Sequence, residues 1–180
     1  EGQSPKVMVI ACSDSRADPA TVFDTSPGEI FVVRNVANLV PPFETGGGRH
    51  GVSAALEFAV TQLKVEEVVV MGHGMCGGVQ AALTQQFAQA DPGEGGFIAH
   101  WIDLLDTARD RVTEEHGAGD AAVRALELET VRVSITNLRS FPFVQEAEAA
   151  GRLKLRGAWF SIKEGVLWVM DDDGTFAPAR

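Results

Sequence analysis

Three short apolar runs, each ending in polar or glycine-rich residues, constrain the fold of this chain more than any other feature of its sequence. They occupy residues 6–11, 30–34 and 67–71 and are rich in Val and Ile. Short β-branched runs of this kind are typical of strands buried in a parallel sheet. The sequence therefore predicts an α/β fold with a mostly parallel β-sheet at its centre.

Segments with helical spacing lie between and after these strands, and we expect the helices to flank the sheet on both faces. The predicted helices are 19–23, 52–63, 78–87, 97–115, 121–138 and 143–150. In segment 97–115 the apolar positions are Phe97, Trp101, Leu104, Leu105, Ala108 and Val112. That spacing predicts one long amphipathic helix.

Two more strands are predicted near the end of the chain, at 153–160 and 166–171. The link between them, 161–165, is too short for a parallel crossover, so it predicts a hairpin and an antiparallel edge strand. A chain of 180 residues without internal repeats suits one hydrophobic core. We therefore expect residues 1–180 to form a single domain.

The chain is acidic, with a formal net charge of −10, so we expect neither nucleic acid nor a membrane surface as a partner. No apolar run approaches the ~20 residues that span a bilayer, and residues 1–5 lack the pattern of a signal peptide. The sequence begins without an initiator Met, so we expect it to be cut at its start. Cys12 and Cys76 are the only cysteines, and without secretory features we expect free or metal-bound thiols in a cytoplasmic protein. One disulfide is the alternative in a secreted protein.

Polar clusters follow two of the predicted strands. Residues 12–16 (CSDSR) come after the first strand, and residues 72–78 (GHGMCGG) come after the third. Open parallel sheets bind ligands beyond the carboxyl ends of their strands. In a flavodoxin-like strand order the first and third strands are neighbours, so the two clusters would face each other.

The composition of these clusters predicts a zinc site. His73 and Cys76 form a His-x-x-Cys turn, and Cys12 can supply a third ligand from across the sheet. Thiolate and imidazole are preferred ligands of zinc. Three protein ligands leave one coordination position open, as in catalytic sites, whereas structural sites use four. Alternatives remain at this stage: Cys12 as a core residue or a nucleophile, and Asp14 as a fourth ligand.

Asp14 and Arg16 lie two residues apart, next to the predicted ligands. A carboxylate beside zinc can orient a bound water by accepting its hydrogen bond. An arginine can keep that carboxylate ionised and fixed in place. The pattern therefore favours a catalytic pair, and an ordinary surface salt bridge is the alternative.

These clusters resemble those of the β-class carbonic anhydrases. The resemblance rests on residues 12–16 and 73–78 and extends to residues 27–29, 31–38 and 57–60, covering nearly the whole chain in order and spacing. It implies that Cys12, His73 and Cys76 bind Zn²⁺ and that Asp14 and Arg16 form the catalytic pair. The implied reaction is reversible hydration of carbon dioxide to bicarbonate and a proton, by attack of zinc-bound hydroxide on CO2. A homodimer or an assembly of dimers, and a helical arm before residue 1, are implied in the same way.

Within the family, the chain is similar to the plant-like branch. The substrate-binding residues that the resemblance implies are Gln3, Phe31, Phe58 and Gly77, with Gln3 supplied by the partner subunit. Ordinary core packing is the alternative for the two phenylalanines. The branch with a second bicarbonate site carries Trp three residues before the first Cys, where this chain has Val9. We therefore expect Asp14 to pair with Arg16 and to leave water on the zinc.

Three other functions are consistent with parts of the pattern. The same kind of zinc site can hydrolyse carbon disulfide or carbonyl sulfide. A zinc-stabilised binding domain without activity is a second reading, which the presence of both Asp14 and Arg16 disfavours. A cysteine phosphatase built on Cys12 and Arg16 is a third, but it needs a longer phosphate-binding loop than the three residues between them.

Overall fold

The fold is built on a six-stranded β-sheet. The structure is a computed structural model that describes residues 2–46 and 48–179. The strands are β1 (Val7–Cys12), β2 (Ile30–Asn35), β3 (Glu67–His73), β4 (Lys154–Ser161), β5 (Val166–Met170) and β6 (Phe176–Pro178). In space they lie in the order β2-β1-β3-β4-β5-β6.

The sheet is mixed, and the strand direction reverses between β4 and β5 and again between β5 and β6. β1 pairs in parallel with β2 and β3, and β3 pairs in parallel with β4. β5 and β6 are antiparallel to their neighbours. The predicted parallel sheet, with its first and third strands adjacent and an antiparallel edge, is therefore confirmed. β6 was not predicted, because a three-residue strand carries too little pattern to be distinguished from a loop.

The helices lie between the strands in sequence. They are α1 (Pro19–Val22), α2 (Gly51–Glu57), α3 (Gly77–Thr84), α4 (Gly96–Ile102), α5 (Asp106–His116), α6 (Asp120–Leu138) and α7 (Pro142–Ala149). α2 continues as a wider π-helix over Phe58–Leu63, and 3-10 turns occupy Val36–Asn38 and Asp103–Leu105. None of the helices within residues 2–46 and 48–179 is both long enough and apolar enough to cross a membrane.

The prediction of one helix over 97–115 is wrong. α4 ends at Ile102, and the 3-10 turn separates it from α5. The buried side chains are Ile102, Leu105, Ala108 and Val112, whereas Phe97 is 72% exposed. Because a 3-10 turn winds more tightly than an α-helix, it changes the direction in which the following side chains project. The apolar stripe read from the sequence assumed a constant period and therefore placed Phe97 in the core.

Apolar side chains cover the two faces of the sheet unequally. On one face, Met8 and Val70 pack with side chains from α2, α6 and α7. On the opposite face, Val9 and Met71 pack with Val22 of α1. Among residues 2–46 and 48–179, α1 is the only helix that contributes to this second cluster. Helices therefore pack on both faces, with α2, α6 and α7 on one face and α1 on the other.

The sheet brings the two polar clusters together. β1 ends at Cys12 and β3 ends at His73, and these strands are parallel neighbours. Ala11 is the register partner of Met71, so both strands end at nearly the same level. The carboxyl ends of β1 and β3 thus form one edge, as expected for a ligand site in an open parallel sheet.

Candidate metal centre

Cys12, His73 and Cys76 form a compact buried group at this edge. The two Sγ atoms are 3.9 Å apart. One ligand atom from each residue lies within 4.8 Å of those of the other two. The exposed fractions are 5%, 1% and 2%, so water cannot readily compete for these donor atoms. The three predicted ligands are therefore brought together.

The arrangement fits a zinc ion. Two sulfurs at Zn–S bonds of ~2.3 Å and tetrahedral angles are about 3.8 Å apart, close to the spacing observed here. His73 Nδ1 lies 2.9 Å from the carbonyl oxygen of Gly74, which can only accept, so Nδ1 donates. Nε2 is then left as a free acceptor, and it is buried without a hydrogen-bond partner. A buried imidazole nitrogen without a partner, beside two thiols, is what a metal would satisfy.

The hydrogen bond between the two thiols shifts their pKa values in opposite directions. The hydrogen bond with Cys76 holds the pKa of Cys12 below its ordinary value, although burial acts in the opposite direction. The same hydrogen bond, together with burial, raises the pKa of Cys76. One proton therefore leaves readily and the other is retained. Because zinc needs both groups as thiolates, metal binding releases protons and strengthens as the pH rises.

The turn that carries His73 and Cys76 has an unusual backbone. Met75 has a φ of 57°, in the left-handed region that residues with side chains rarely adopt. Cys76 then occupies the N-cap of α3, with extended backbone angles. Gly78 lies so close to the 3-10 turn after β2 that an added Cβ would be 2.6 Å from Val36 Cγ1. Around Gly77, in contrast, an added Cβ would meet nothing within 4 Å. Gly78 therefore leaves no room for a side chain, whereas Gly77 does.

Asp14 and Arg16 form a bidentate ion pair beside the cluster. Arg16 Nε donates to Asp14 Oδ1 at 2.9 Å, and its Nη2 donates to Oδ2 at 2.7 Å. Asp14 Oδ2 lies 3.9 Å from His73 Nε2, so the carboxylate borders the position that a metal would take. The hydrogen bond from Arg16 holds the pKa of Asp14 well below its usual range. Asp14 is therefore a fixed carboxylate at neutral pH.

A second arginine organises the loop after β1. Arg34 Nε donates to the carbonyl oxygen of Cys12 at 2.9 Å, and Nη2 donates to that of Asp14 at 2.6 Å. Its Nη1 donates to Asp18 Oδ1 at 3.0 Å. Arg34 thus binds the backbone that carries the predicted metal ligand Cys12 and the Asp14 carboxylate. The sequence motif includes this arginine, but its contacts depend on β2 lying beside β1 and were not predicted.

Sequence reasoning missed a buried carboxylate beneath the metal turn. Glu127 of α6 is 3% exposed, and its Oε1 accepts a hydrogen bond from the amide of Cys76 at 3.2 Å. Burial raises the pKa of Glu127, and hydrogen bonds from the amides of Cys76 and Met75 oppose this rise. The only signal in the sequence is an acidic residue among the apolar positions of helix 121–138, which is weak evidence by itself.

The other sequence-predicted residues are not assembled around the cluster within one chain. Phe31 and Phe58 contact each other, with ring centroids 6.0 Å apart. Phe31 pairs with Met8, four residues before Cys12, which is about 13 Å along the strand. Gln3 is exposed near the start of β1. Only Gly77, next to Cys76, adjoins the metal ligands of its own chain.

Three features define a zinc enzyme of the three-ligand type. They are a buried Cys2His group, a parallel α/β sheet and a carboxylate held beside one open coordination position. The family model described as "Carbonic anhydrase" matches residues 7–167. This chain belongs to the carbonic anhydrase family, and its relatives are of the β class.

Two curated relatives are from Arabidopsis thaliana. Beta carbonic anhydrase 3 is 37% identical over 176 residues, which cover 95% of this chain and 67% of the relative. Beta carbonic anhydrase 6, mitochondrial, is 37% identical over 177 residues, which cover 96% of this chain and 60% of the relative. The chain thus spans about two thirds of the length of these relatives.

A solved structure agrees with this assignment. It comes from work on two tetrameric β-carbonic anhydrases of Sordaria macrospora and is 32% identical to this chain. The match has a TM-score of 0.81 and covers 99% of this chain and 84% of the other. The fold of the sheet and the family assignment are therefore supported by sequence and by structure.

Proposed function

We propose that this protein catalyses the reversible hydration of carbon dioxide to bicarbonate and a proton, with Zn²⁺ bound by Cys12, His73 and Cys76. The observation that carries the proposal is the Asp14 carboxylate, held by Arg16 at 3.9 Å from the ligand nitrogen of His73. This carboxylate borders the coordination position that the three ligands leave open. Membership of the carbonic anhydrase family supports the same reaction.

The roles of the residues follow from their charges and contacts. Zinc, when bound, supplies Lewis-acid activation of a water molecule. Asp14 borders the open coordination position, so its carboxylate would accept a hydrogen bond from a water molecule held there and orient that water toward CO2. Arg16 donates a hydrogen bond to each oxygen of the Asp14 carboxylate and thereby fixes the orientation of that carboxylate. Because its pKa is strongly lowered, Asp14 orients the water but does not keep the released proton, which passes to solvent or buffer.

The ligand charges predict an alkaline optimum. Two thiolates and a neutral imidazole cancel the charge of Zn²⁺, so this site acidifies water less than the three-histidine site of other carbonic anhydrases, where the pKa of the water is about 7. We expect the rate of hydration to rise with pH through and beyond neutrality. A pH–rate profile of the zinc-loaded protein measures this, and a rate that peaks in acid would contradict it.

A second copy of the chain supplies part of the proposed substrate pocket. Phe58 is 45% exposed and stacks with Phe31 at a distance from the metal ligands of its own chain. Gln3 is exposed as well. We assign these three residues to the pocket of a partner in a homodimer or an assembly of dimers. The tetrameric relatives from Sordaria macrospora support an assembly of this kind.

The test combines zinc content with stopped-flow hydration of CO2. Asp14→Ala should keep one zinc per chain and lose about 10²-fold or more in rate, because the carboxylate orients and does not ligate. Cys76→Ala should lose the metal itself. Ser15→Ala is the matched control, an exposed residue of the same loop, and should leave both quantities unchanged. Full activity of the metal-free protein, or sulfide release from carbon disulfide without hydration of CO2, would contradict the proposal.

We propose a cytoplasmic location. Both cysteines are free and positioned as metal ligands, which suits a reducing compartment. One curated relative is a mitochondrial protein, so an experiment has to distinguish a cytoplasmic from a mitochondrial location. Cell fractionation with antibody detection tests this, and recovery of the protein in the mitochondrial fraction would overturn it.

A further inference from the structure

We infer that Glu127 is a positioning residue of the metal centre, which fixes the direction of Cys76 through a hydrogen bond to its backbone amide. The inference rests on the proposed function only in taking zinc as the metal. It assigns a task to a buried acidic group on α6 that neither binds the metal nor borders its open coordination position.

The burial of Glu127 calls for a compensating interaction. Its exposed fraction is 3%, and although the charge of Arg124 on the same helix favours the carboxylate, the two form no ion pair within 4.0 Å among residues 2–46 and 48–179. Burying a carboxylate is strongly unfavourable unless hydrogen bonds satisfy it. The hydrogen bond from the Cys76 amide at 3.2 Å, together with that from the Met75 amide, satisfies the carboxylate. A leucine of similar size would fill the same volume without this requirement, so packing alone does not account for a glutamate here.

The Cys76 amide is the point at which this turn needs support. Met75 precedes it with a left-handed φ of 57°, and Cys76 is the N-cap of α3. An N-cap amide lies outside the hydrogen bonds of its own helix, so it needs an acceptor from elsewhere. The Glu127 carboxylate is that acceptor. Rotation of this peptide unit would move the Cys76 Sγ atom away from its place 3.9 Å from that of Cys12.

Glu127 is itself held on a rigid support. α6 carries a row of buried polar side chains that bind the segment after β2. Thr130 Oγ1 accepts from Asn38 Nδ2 at 3.0 Å, and Ser134 Oγ donates to the carbonyl oxygen of Asn38 at 3.0 Å. Ser134 also accepts from the amide of Val40 at 3.2 Å. The helix is therefore fixed to the same end of the sheet as the metal ligands, and a side chain anchored on it can hold the turn in one orientation.

The experiment measures zinc affinity by competition with a chromogenic chelator on folded protein. Glu127→Leu should weaken zinc binding about 10- to 100-fold, the range typical for residues that orient metal ligands. Glu127→Gln keeps an oxygen that accepts from the Cys76 amide, so its affinity should stay within about threefold of the wild type. In the Co²⁺-substituted protein, the sulfur-to-cobalt charge-transfer band should shift in Glu127→Leu and return in Glu127→Gln.

Two further variants keep the inference falsifiable. Ser134→Ala removes another buried polar group of α6 and should lower the melting temperature without weakening zinc binding. If Glu127→Leu does not fold, Glu127→Asp takes its place, because the shorter side chain withdraws from the amide and should weaken binding at least threefold. Unchanged affinity in both Glu127→Leu and Glu127→Asp, or an equal loss in Ser134→Ala, would overturn the inference. Since these readouts do not involve CO2, they are independent of whether the proposed reaction is found.

Discussion

At the scale of single residues, Arg16 connects the two loops that carry the metal ligands. Two of its nitrogens bind the Asp14 carboxylate, and Nη2 also donates to the carbonyl oxygen of Met75 at 3.0 Å. Asp14 belongs to the loop after β1, and Met75 belongs to the turn after β3. One guanidinium therefore fixes the carboxylate and contacts the left-handed residue of the metal turn at the same time. Its removal should affect both loops.

The Asp14–Arg16 pair should make stability depend on pH. The pKa of Asp14 is lower in the folded protein than in the unfolded chain, so its contribution is fully present above the unfolded pKa of about 3.9. That contribution is lost as the pH falls through the folded pKa. We expect Arg16→Met to be less stable than the wild type at neutral pH, with a difference that shrinks in acid.

Urea unfolding of the zinc-free proteins at several pH values measures this difference, because zinc loss then adds nothing to the pH dependence. Lys6→Met is the control, since it removes a pair with Glu66 whose side chains are 72% and 62% exposed. Exposed pairs of this kind contribute little. A difference for Arg16→Met that stays constant or grows toward acid would contradict the assignment.

At the scale of secondary-structure elements, the features that depend on local sequence patterns were predicted better than those that depend on long-range contacts. Each of the first five strands was predicted to within two residues at either end, because β-branched runs and the glycines that bound them are local signals. Helix 121–138 was found almost unchanged as α6. Segment 97–115 failed because the 3-10 turn within it changes the phase of the apolar face. Nothing in the local spacing marks that turn.

The metal centre was predictable to the extent that its residues are local to the strand ends. Cys12, His73 and Cys76 follow directly from two motifs and from the adjacency of β1 and β3. Arg34 and Glu127 act on these motifs from β2 and α6, so their roles depend on tertiary packing. A buried polar residue on a helix resembles an ordinary surface residue in the sequence until its partner is known.

The start of α3 offers a test of close approach between elements. Gly78→Ala should cost about 1–3 kcal/mol, because its Cβ would lie 2.6 Å from Val36 Cγ1. Val36 is 38% exposed, and Val36→Ala removes the clashing methyl group at little cost. The double variant should therefore regain part of the stability lost in Gly78→Ala, because Ala37 Cβ still lies 3.2 Å from the added Cβ. Chemical denaturation of the four proteins measures that coupling.

Gly77→Ala is the matched control one residue earlier. An added Cβ there meets nothing within 4 Å, so its stability should be unchanged or slightly raised. If Gly78→Ala were equally harmful with and without Val36→Ala, the contact with Val36 would not be the limiting one.

At the scale of the whole molecule, one edge of the sheet stands out for its exposed apolar side chains. β2 is the first strand in the spatial order and pairs only with β1 among the described strands. Val32 on this strand is 39% exposed, and Val36 directly after it is 38% exposed. Phe58 beside Phe31 adds another exposed ring. Apolar side chains grouped at an unpaired edge are typical of an interface between proteins.

A charge at this edge should dissociate the proposed dimer. Phe58→Asp places a carboxylate in the apolar group, so we expect monomers in sedimentation velocity and at least an order of magnitude less hydration activity. Its zinc content should stay unchanged, because the metal ligands come from one chain. Val166→Asp is the control, on β5 and separated from β2 by three strands. A dimeric and fully active Phe58→Asp protein would contradict both the interface and the shared pocket.

The separation of the metal ligands along the chain has a consequence for how the protein is made. Cys12 and Cys76 are 64 residues apart, whereas His73 and Cys76 lie in one turn. The turn can recruit a metal ion as soon as it forms, but the third ligand arrives only when β1 has docked beside β3. Such distant parallel pairing is a slow event in folding. We therefore expect tight zinc binding to appear late during refolding. The rate of zinc binding then reports when β1 has paired with β3.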